Sequence, residues 1–384
     1  MELATYTNFD HSYSCNPKEI YHPTSLDEII KIVKNNANSK IRVVGSHHTF
    51  NDLSMTNDIL IKMDKLKRIL NVDTAKKLVT VEAGIILYDF LTKLASYGLA
   101  LPVIPAISCQ SIVGAISTGT HDSRTTYGTM ASLVESMTLV TANGDVLKVD
   151  KDNEIFPALT VSLGACGIIY SVTLKCEKLF GLKMKTYEMS WDDFILSERK
   201  FFGQYEFIHA YLHLNNKMCE LITGTKEKLK TDGSNVYYKM ISSSHTDGYS
   251  EIELSFPYEV LNNVVQDLFN MPRNKIDDAV LIRFSGIDKD SFISMTSDRK
   301  SNTHISLFAN SNLSKDPAML REFSTYEDIG FFHNGRPHYG KKHTLTREKM
   351  IKLYRHFNKF LEIRNRLDPK RQFINEHLSR VLGD

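Results

Sequence analysis

Along the first hundred residues the apolar positions switch between two periods. Ser25–Asn35 (SLDEIIKIVKN) sets Leu26, Ile29, Ile30 and Val33 on one helical face. Ser25 stands as N-cap and Glu28 as its capping-box partner, so the stretch predicts a helix. Ile41, Val43 and Val44 predict a buried strand, and short strands follow around 59–63 and 77–82. Residues 87–97 read as a helix stopped by Gly98. This alternation predicts an α+β domain with layered helices.

The pattern continues with a hairpin over 136–149, its two-residue turn made by Asn143-Gly144, and with a strand over 168–176. After Glu177 the texture changes. Strand-like stretches recur at 182–189, 207–213, 219–225, 235–241, 251–256, 279–284 and 303–308, with one helix at 257–268. Many β-segments and few helices predict a large, mostly antiparallel sheet in a second domain. Residues 346–366 read as one long helix with Met350, Leu353, Tyr354, Phe357 and Leu361 at helical spacing. No internal repeat or low-complexity segment interrupts the chain.

Three segments break the periodic pattern. The strand ending at Val44 runs into Gly45-Ser46-His47-His48-Thr49-Phe50, a loop of small residues followed by two histidines. Such a loop can close backbone N–H groups on an anionic ligand, or it can be an ordinary polar turn. Gln110–His121 (QSIVGAISTGTH) is crowded with small and hydroxyl residues, suited either to close ligand approach or to tight helix packing. It has neither Walker nor GxGxxG spacing. Ser162–Gly167 (SLGACG) is a third place where backbone could line a long ligand.

Composition narrows the class. The 384 residues allow two domains, and 42% hydrophobic with 24% charged residues is typical of a globular protein. A net charge of +2 does not suggest a dedicated nucleic-acid binder, for which a strongly basic domain is expected. Residues 336–371 are locally basic, as a solvated helix face or a site for an anion would be. Five cysteines (Cys15, Cys109, Cys166, Cys176, Cys219) without a CxxC pair argue against a disulfide framework and a structural zinc site. The N-terminal MELATY has no basic-then-apolar signal, and no apolar run nears the roughly 18 residues that span a bilayer. The expectation is a cytoplasmic enzyme without a membrane span.

Taken together, the unusual segments resemble one family. RVVGSHHTFN (Arg42–Asn51) is similar to the "GSGHSF" loop of sugar-lactone and alditol oxidases, which belong to the vanillyl-alcohol-oxidase-type (PCMH-type) FAD flavoproteins. QSIVGAISTGTH and VSLGACGIIYSVTL (Val161–Leu174) resemble their further flavin-binding segments in the right order. RPHYGKKHTLT (Arg336–Thr346) and LDPKRQFINEHLSRVLG (Leu367–Gly383) resemble their "HWGK" and "FLNDYL" signatures. The resemblance implies an α+β fold with a two-lobed FAD-binding domain (1–176), a substrate domain built on a large antiparallel sheet (177–344), and a C-terminal segment (345–384) returning to the first.

It also implies residue roles. FAD would be held by Val44, Gly45, Ser46, His47, His48, Thr49 and Asn51, with His48 at the position of covalent attachment. Gln110, Ser111, Gly114, Ala115, Ser117, Thr118, Gly119, Thr120 and His121 would add a second wall. Gly164, Gly167, Ile169 and Asn375 would complete the cofactor site. Arg283 in VLIRF stands where the family has the arginine of "VEVRF", and His338 and Lys341 lie in the HYGK motif. Arg283 and Lys341 would orient a substrate's hydroxyls and stabilise a developing alkoxide, with His338 a further catalytic candidate in the same motif. The implied reaction is removal of hydride from a CH–OH carbon of a sugar-derived substrate (alditol, aldonolactone or phosphorylated sugar), with O2 or another carrier as acceptor and H2O2 as the product of oxygen.

The departures from the family pattern matter for substrate. Leu281 replaces a carboxylate, His47 a glycine, Tyr339 a tryptophan, and Asp122-Ser123-Arg124 the usual "GSG". A lost carboxylate with Arg124, Arg336 and Lys342 as additional cations would suit an anionic substrate. Two other readings stay open: sugar oxidation as half of an epimerisation, and flavin binding without catalysis. Zinc on His47-His48 is disfavoured, since adjacent histidines lack ligand spacing.

Overall fold

Strands Glu19–Tyr21, Ile59–Lys62 and Ile41–Val44 pair in that order as a small parallel sheet. Helix Leu26–Asn35 covers it, burying Ile29, Ile32 and Val33 against Ile41, Ile59 and Ile61. Ser25 caps this helix through the Glu28 N–H, while Glu28 takes the N–H of Thr24. A five-stranded antiparallel sheet follows, ordered Val146–Asp150, Val134–Val140, Ile168–Lys175, Leu78–Glu82 and Ile69–Asp73. The computed structural model describes residues 5–245 and 248–383; Met1–Ala4 of the N-terminal stretch and Asp384 lie outside them.

The larger sheet has seven antiparallel strands. Their order is Gly181–Ser190, Met218–Glu227, Phe207–His213, Ala279–Ser285, Asn302–Asn310, Tyr249–Pro257 and Arg336–Pro337. Strict alternation gives it two unlike faces. Ile252, Leu254, Ile282, Ile305 and Leu307 form one, packed beneath helices Trp191–Gln204, Leu261–Asn270 and Pro317–Phe332. The register sets Glu253, Ser306, Leu281 and Tyr211 in one row of the other face, with His304 beside Arg283 in the next. That polar face is also buried. Residues near the C-terminus reach back to the first half: Phe373 joins the core of the parallel sheet, and Leu378, Val381 and Leu382 join that around Phe90 and Leu94.

Four local expectations are corrected. The hairpin turn is five residues, 141–145: Gly144 N–H bonds Thr141 O, and of Asn143 and Gly144 only the glycine has positive φ. Residues 237–241 are a short helix rather than a strand. The helix read from residue 257 begins at Leu261 after a single 3-10 turn, and is joined by helices Trp191–Gln204 and Pro317–Phe332. The long C-terminal helix is two, Arg347–Leu353 and Phe357–Leu367. It breaks because Arg336 takes the Leu353 carbonyl with Nε and Nη2 (3.0 and 2.6 Å) while its guanidinium lies over the Tyr354 ring.

Candidate active site

One cavity of about 430 Å³ runs between the small-residue segments and the polar face of the seven-stranded sheet. Its walls come from chain regions far apart in sequence, fastened by short-range bonds. Ser46 Oγ accepts from the Ser111 N–H (3.1 Å), and a Cβ on Gly45 would stand 1.7 Å from Ser111 Oγ, so these segments touch only because residue 45 is glycine. Phe50 N–H donates to Gly340 O (2.9 Å), tying the histidine loop to the His338–Lys342 segment. His338 and Lys342 donate their backbone N–H groups to the carbonyls of Glu253 and Glu251, tying that segment to the sheet.

Most of the residues named from sequence line this cavity. Val44 through Thr49, Gln110, Ser111, Gly114, Ala115, Ser117, Thr118, Thr120 and His121 do so, as do Gly164, Gly167, Ile169, Arg283, His338 and Lys341. Three do not. Asn51 donates to the carbonyls of Tyr339 (2.8 Å) and Lys341 (2.6 Å), and Asn375 to those of Asp52, Leu53 and Met55, so both fasten backbone. Gly119, at φ 74°, faces Met295, Thr129 and Val161.

The two adjacent histidines differ. His48 stacks on Phe9, ring centroids 4.1 Å apart, and both its ring nitrogens are buried without a partner. Burial, then nearby Lys341, lowers its pKa to about 4, so the ring is neutral. A buried polar group left unsatisfied costs about 1–3 kcal/mol. A neutral imidazole with both nitrogens unpartnered, in the wall of a long cavity, fits a flavin that bonds to it. His47 instead turns to Tyr6 and takes φ 68°. The side chain that replaces glycine is thus held in the left-handed region.

At the sheet end lie two carboxylates that the sequence reading missed. Glu253 (0% exposed) accepts from Arg283 Nη2 at 2.8 Å and bonds His121 Nε2. Glu251 (2% exposed) pairs with Lys341, whose ammonium lies 4.6 Å from the Phe50 ring centroid. Burial works against an ionised Glu253, yet Arg283 and His121 outweigh it and hold its pKa well below the carboxylate range. Arg283 Nε is buried with no partner. Tyr211, Tyr249, Leu281 and Phe308 complete this end.

His338 Nδ1 accepts the Gly340 N–H (3.0 Å), and burial lowers the ring's pKa to about 3. The neutral ring therefore carries its proton on Nε2. His304 stacks on His121 at 3.6 Å, 22° from parallel, and bonds Ser285 Oγ through Nε2. His121, Glu253 and His304 offer ligand atoms within 4.8 Å of one another. Nearly parallel imidazoles do not aim their in-plane lone pairs at one point, however, and both Glu253 oxygens are already bonded. The cluster is a Glu253–His121 hydrogen bond with the His304 ring stacked on it.

The additional cations face elsewhere. Arg124 pairs with Glu177 and Glu206 (2.5 and 2.6 Å), Arg336 with backbone carbonyls, and Lys342 with Asp10 (3.0 Å). None of the three lines the cavity. With carboxylates supplied by the strand Tyr249–Pro257, the expectation of an anionic substrate loses both its supports.

A family model for an FAD binding domain matches residues 17–150, and one described as D-arabinono-1,4-lactone oxidase matches residues 190–381, half of the chain. The sequence is 28% identical to an L-gulonolactone oxidase of Scyliorhinus torazame, covering 98% of each chain. It is 28% identical to an L-gulono-1,4-lactone dehydrogenase of Mycobacterium tuberculosis, covering 98% of this chain and 99% of that protein. Cholesterol oxidase from B. sterolicum has a similar fold, with TM-score 0.81 and 15% identity over 98% of this chain and 96% of that one. Among the described residues no helix is long and apolar enough to cross a membrane.

Proposed function

The chain belongs to the D-arabinono-1,4-lactone oxidase family and is an FAD-dependent oxidoreductase acting on CH–OH donors. From that premise we propose that it oxidises a hydroxyl-bearing carbon of a sugar-derived lactone, with FAD bonded covalently to His48 and O2 as acceptor, giving H2O2. The observation that carries this reading is that His48 lines the same cavity as Arg283 and Lys341. The names of the similar sequences, an L-gulonolactone oxidase and an L-gulono-1,4-lactone dehydrogenase, support the substrate. The free cysteines among the described residues support a reducing, cytoplasmic setting.

The flavin, when bound, supplies a hydride acceptor, which no side chain can be. The protein's own part is electrostatic. As the hydroxyl proton leaves, negative charge grows on the substrate oxygen, and Arg283 and Lys341, both largely buried, stabilise it. Arg283 lines the cavity and donates to a substrate oxygen, while its Nε is buried without a partner. His338 Nε2–H adds a neutral donor. Glu251 and Glu253 hold the two cations in place.

The purified protein tests this directly. Yellow colour should remain with the acid-precipitated pellet, and should bleach when L-gulono-1,4-lactone or D-arabinono-1,4-lactone is added without air. Colour released into the supernatant removes the covalent bond from the proposal. A flavin that no lactone reduces removes the substrate.

A further inference from the structure

Glu251 and Glu253 sit two residues apart on one strand, so both project from the same face of the sheet into the cavity wall. Each meets one of the two cations at the substrate end, Glu251 with Lys341 and Glu253 with Arg283. The other guanidinium lining the cavity, Arg42, is spent on the carbonyls of Leu53, Leu163, Gly164 and Phe373. At the substrate end each carboxylate therefore stands against its own fixed cation, and Glu253 bonds His121 as well.

Such pairs are a costly way to build a wall. Replacing a buried ion pair by apolar residues of similar volume is often neutral or stabilising, so the pairs call for a ligand reason. Arg283 lines the cavity with its charge already matched by Glu253, so its guanidinium can donate to a neutral oxygen there. An anionic group entering here would meet both carboxylates and find no cation with unmatched charge. A neutral hydroxyl or ring oxygen would meet Arg283 and Lys341 without that repulsion.

We propose that Glu251 and Glu253 determine specificity for charge: they make the site accept an uncharged polyhydroxylated lactone and reject the aldonate that the same lactone gives on hydrolysis. The inference rests on the lactone reading above and extends it. Specificity here comes from a repulsive element against the competitor as much as from contacts to the substrate. A lactone and its aldonate share almost every hydroxyl, so contacts to those hydroxyls alone would separate them poorly.

The test uses the flavin-containing protein without air: the concentration dependence of the rate at which L-gulono-1,4-lactone bleaches the flavin gives the lactone's affinity, and the slowing of that bleaching by L-gulonate gives the gulonate's. Wild type should prefer lactone to gulonate by at least about tenfold, and Glu251→Gln and Glu253→Gln should each shrink that ratio about tenfold by tightening gulonate. Glu251→Asp, which keeps the charge, should retain the wild-type preference. If both Gln variants lose activity on lactone with the ratio unchanged, the glutamates only position Lys341 and Arg283, and the inference fails. Wild type alone also decides: gulonate bound within about threefold of the lactone overturns it whatever the variants do. A yellow protein whose absorbance responds to no lactone overturns the lactone reading and this inference together, whereas an unchanged ratio overturns the inference alone.

Discussion

The imidazole of His48 lies on the ring of Phe9, planes 22° apart and centroids 4.1 Å apart. Stacking fixes the plane of the histidine while leaving its two nitrogens free for a partner in the cavity. A neutral nitrogen is the nucleophilic form, and the pKa of about 4 keeps the ring neutral throughout the physiological range. His48→Ala should therefore yield protein whose flavin leaves with the acid supernatant. Phe9→Leu, which keeps bulk but not a flat ring, should attach flavin more slowly, seen as a smaller acid-stable fraction after a fixed time. Full acid-stable flavin in His48→Ala would move the attachment elsewhere, with His47 first in line.

His47 makes a separate prediction. Its φ of 68° puts a side chain where glycine is at ease, and its ring packs 4.5 Å from that of Tyr6. Backbone strain of about 1–2 kcal/mol is set against that contact. His47→Ala keeps the strain and loses the contact, whereas His47→Gly loses both. The glycine variant should thus be the more stable of the two, by about 1 kcal/mol in thermal unfolding. The reverse order would mean that residue 47 is unstrained.

What the sequence made legible was local. Gly45–Phe50 announced itself by composition, and most strands of the large sheet by alternation. Glu251 and Glu253 stayed hidden because YSEIELSFP reads as a strand with a solvated acidic face, and nothing local says that a second layer buries it. Leu281 misled for the same reason: the carboxylate absent there stands in the same cross-sheet row at Glu253, and register is a tertiary fact. Asn51 and Asn375 sit inside motifs, yet their partners are carbonyls about 290 and 320 residues away in the chain. Helix Pro317–Phe332 had a readable start, Asp316 capping with Pro317 in the first turn. The break after Leu353 did not, since Arg336 causes it from outside.

Asp122 predicts a pH dependence of stability. Its carboxyl is buried, Oδ2 has no partner, and burial pushes its pKa up to about 6 from an ordinary 3.8. Between those values the folded protein holds a proton that the unfolded chain has lost, so stability falls as pH rises through that window. Above about pH 6 the full penalty of the buried anion is present. Asp122→Asn should raise unfolding free energy by about 2 kcal/mol at about pH 8, with the gain fading toward about pH 4. Denaturant titrations at the two pH values measure it, and a gain independent of pH would place its cause in packing rather than ionisation.

Arg283 joins the stability of the site to its chemistry. Burial opposes its charge, but Glu253, then Glu251 and Asp122, outweigh that and raise its pKa, so it is a fixed cation at any working pH. Removing it with Arg283→Leu leaves Glu253 buried beside His121 alone and should cost about 3–5 kcal/mol of stability. Turnover should fall about a thousandfold, the loss expected when one charge stabilising an oxyanion is removed. Arg283→Lys separates the two effects. It keeps a charge near Glu253, so most of the stability should return, but a lysine has no Nε–H beside its charged end and no planar fork. Activity on lactone should then stay about a hundredfold down while the melting temperature recovers. If Arg283→Lys restores turnover as fully as stability, point charge alone serves the reaction, and the unpartnered Nε has no part in holding the substrate.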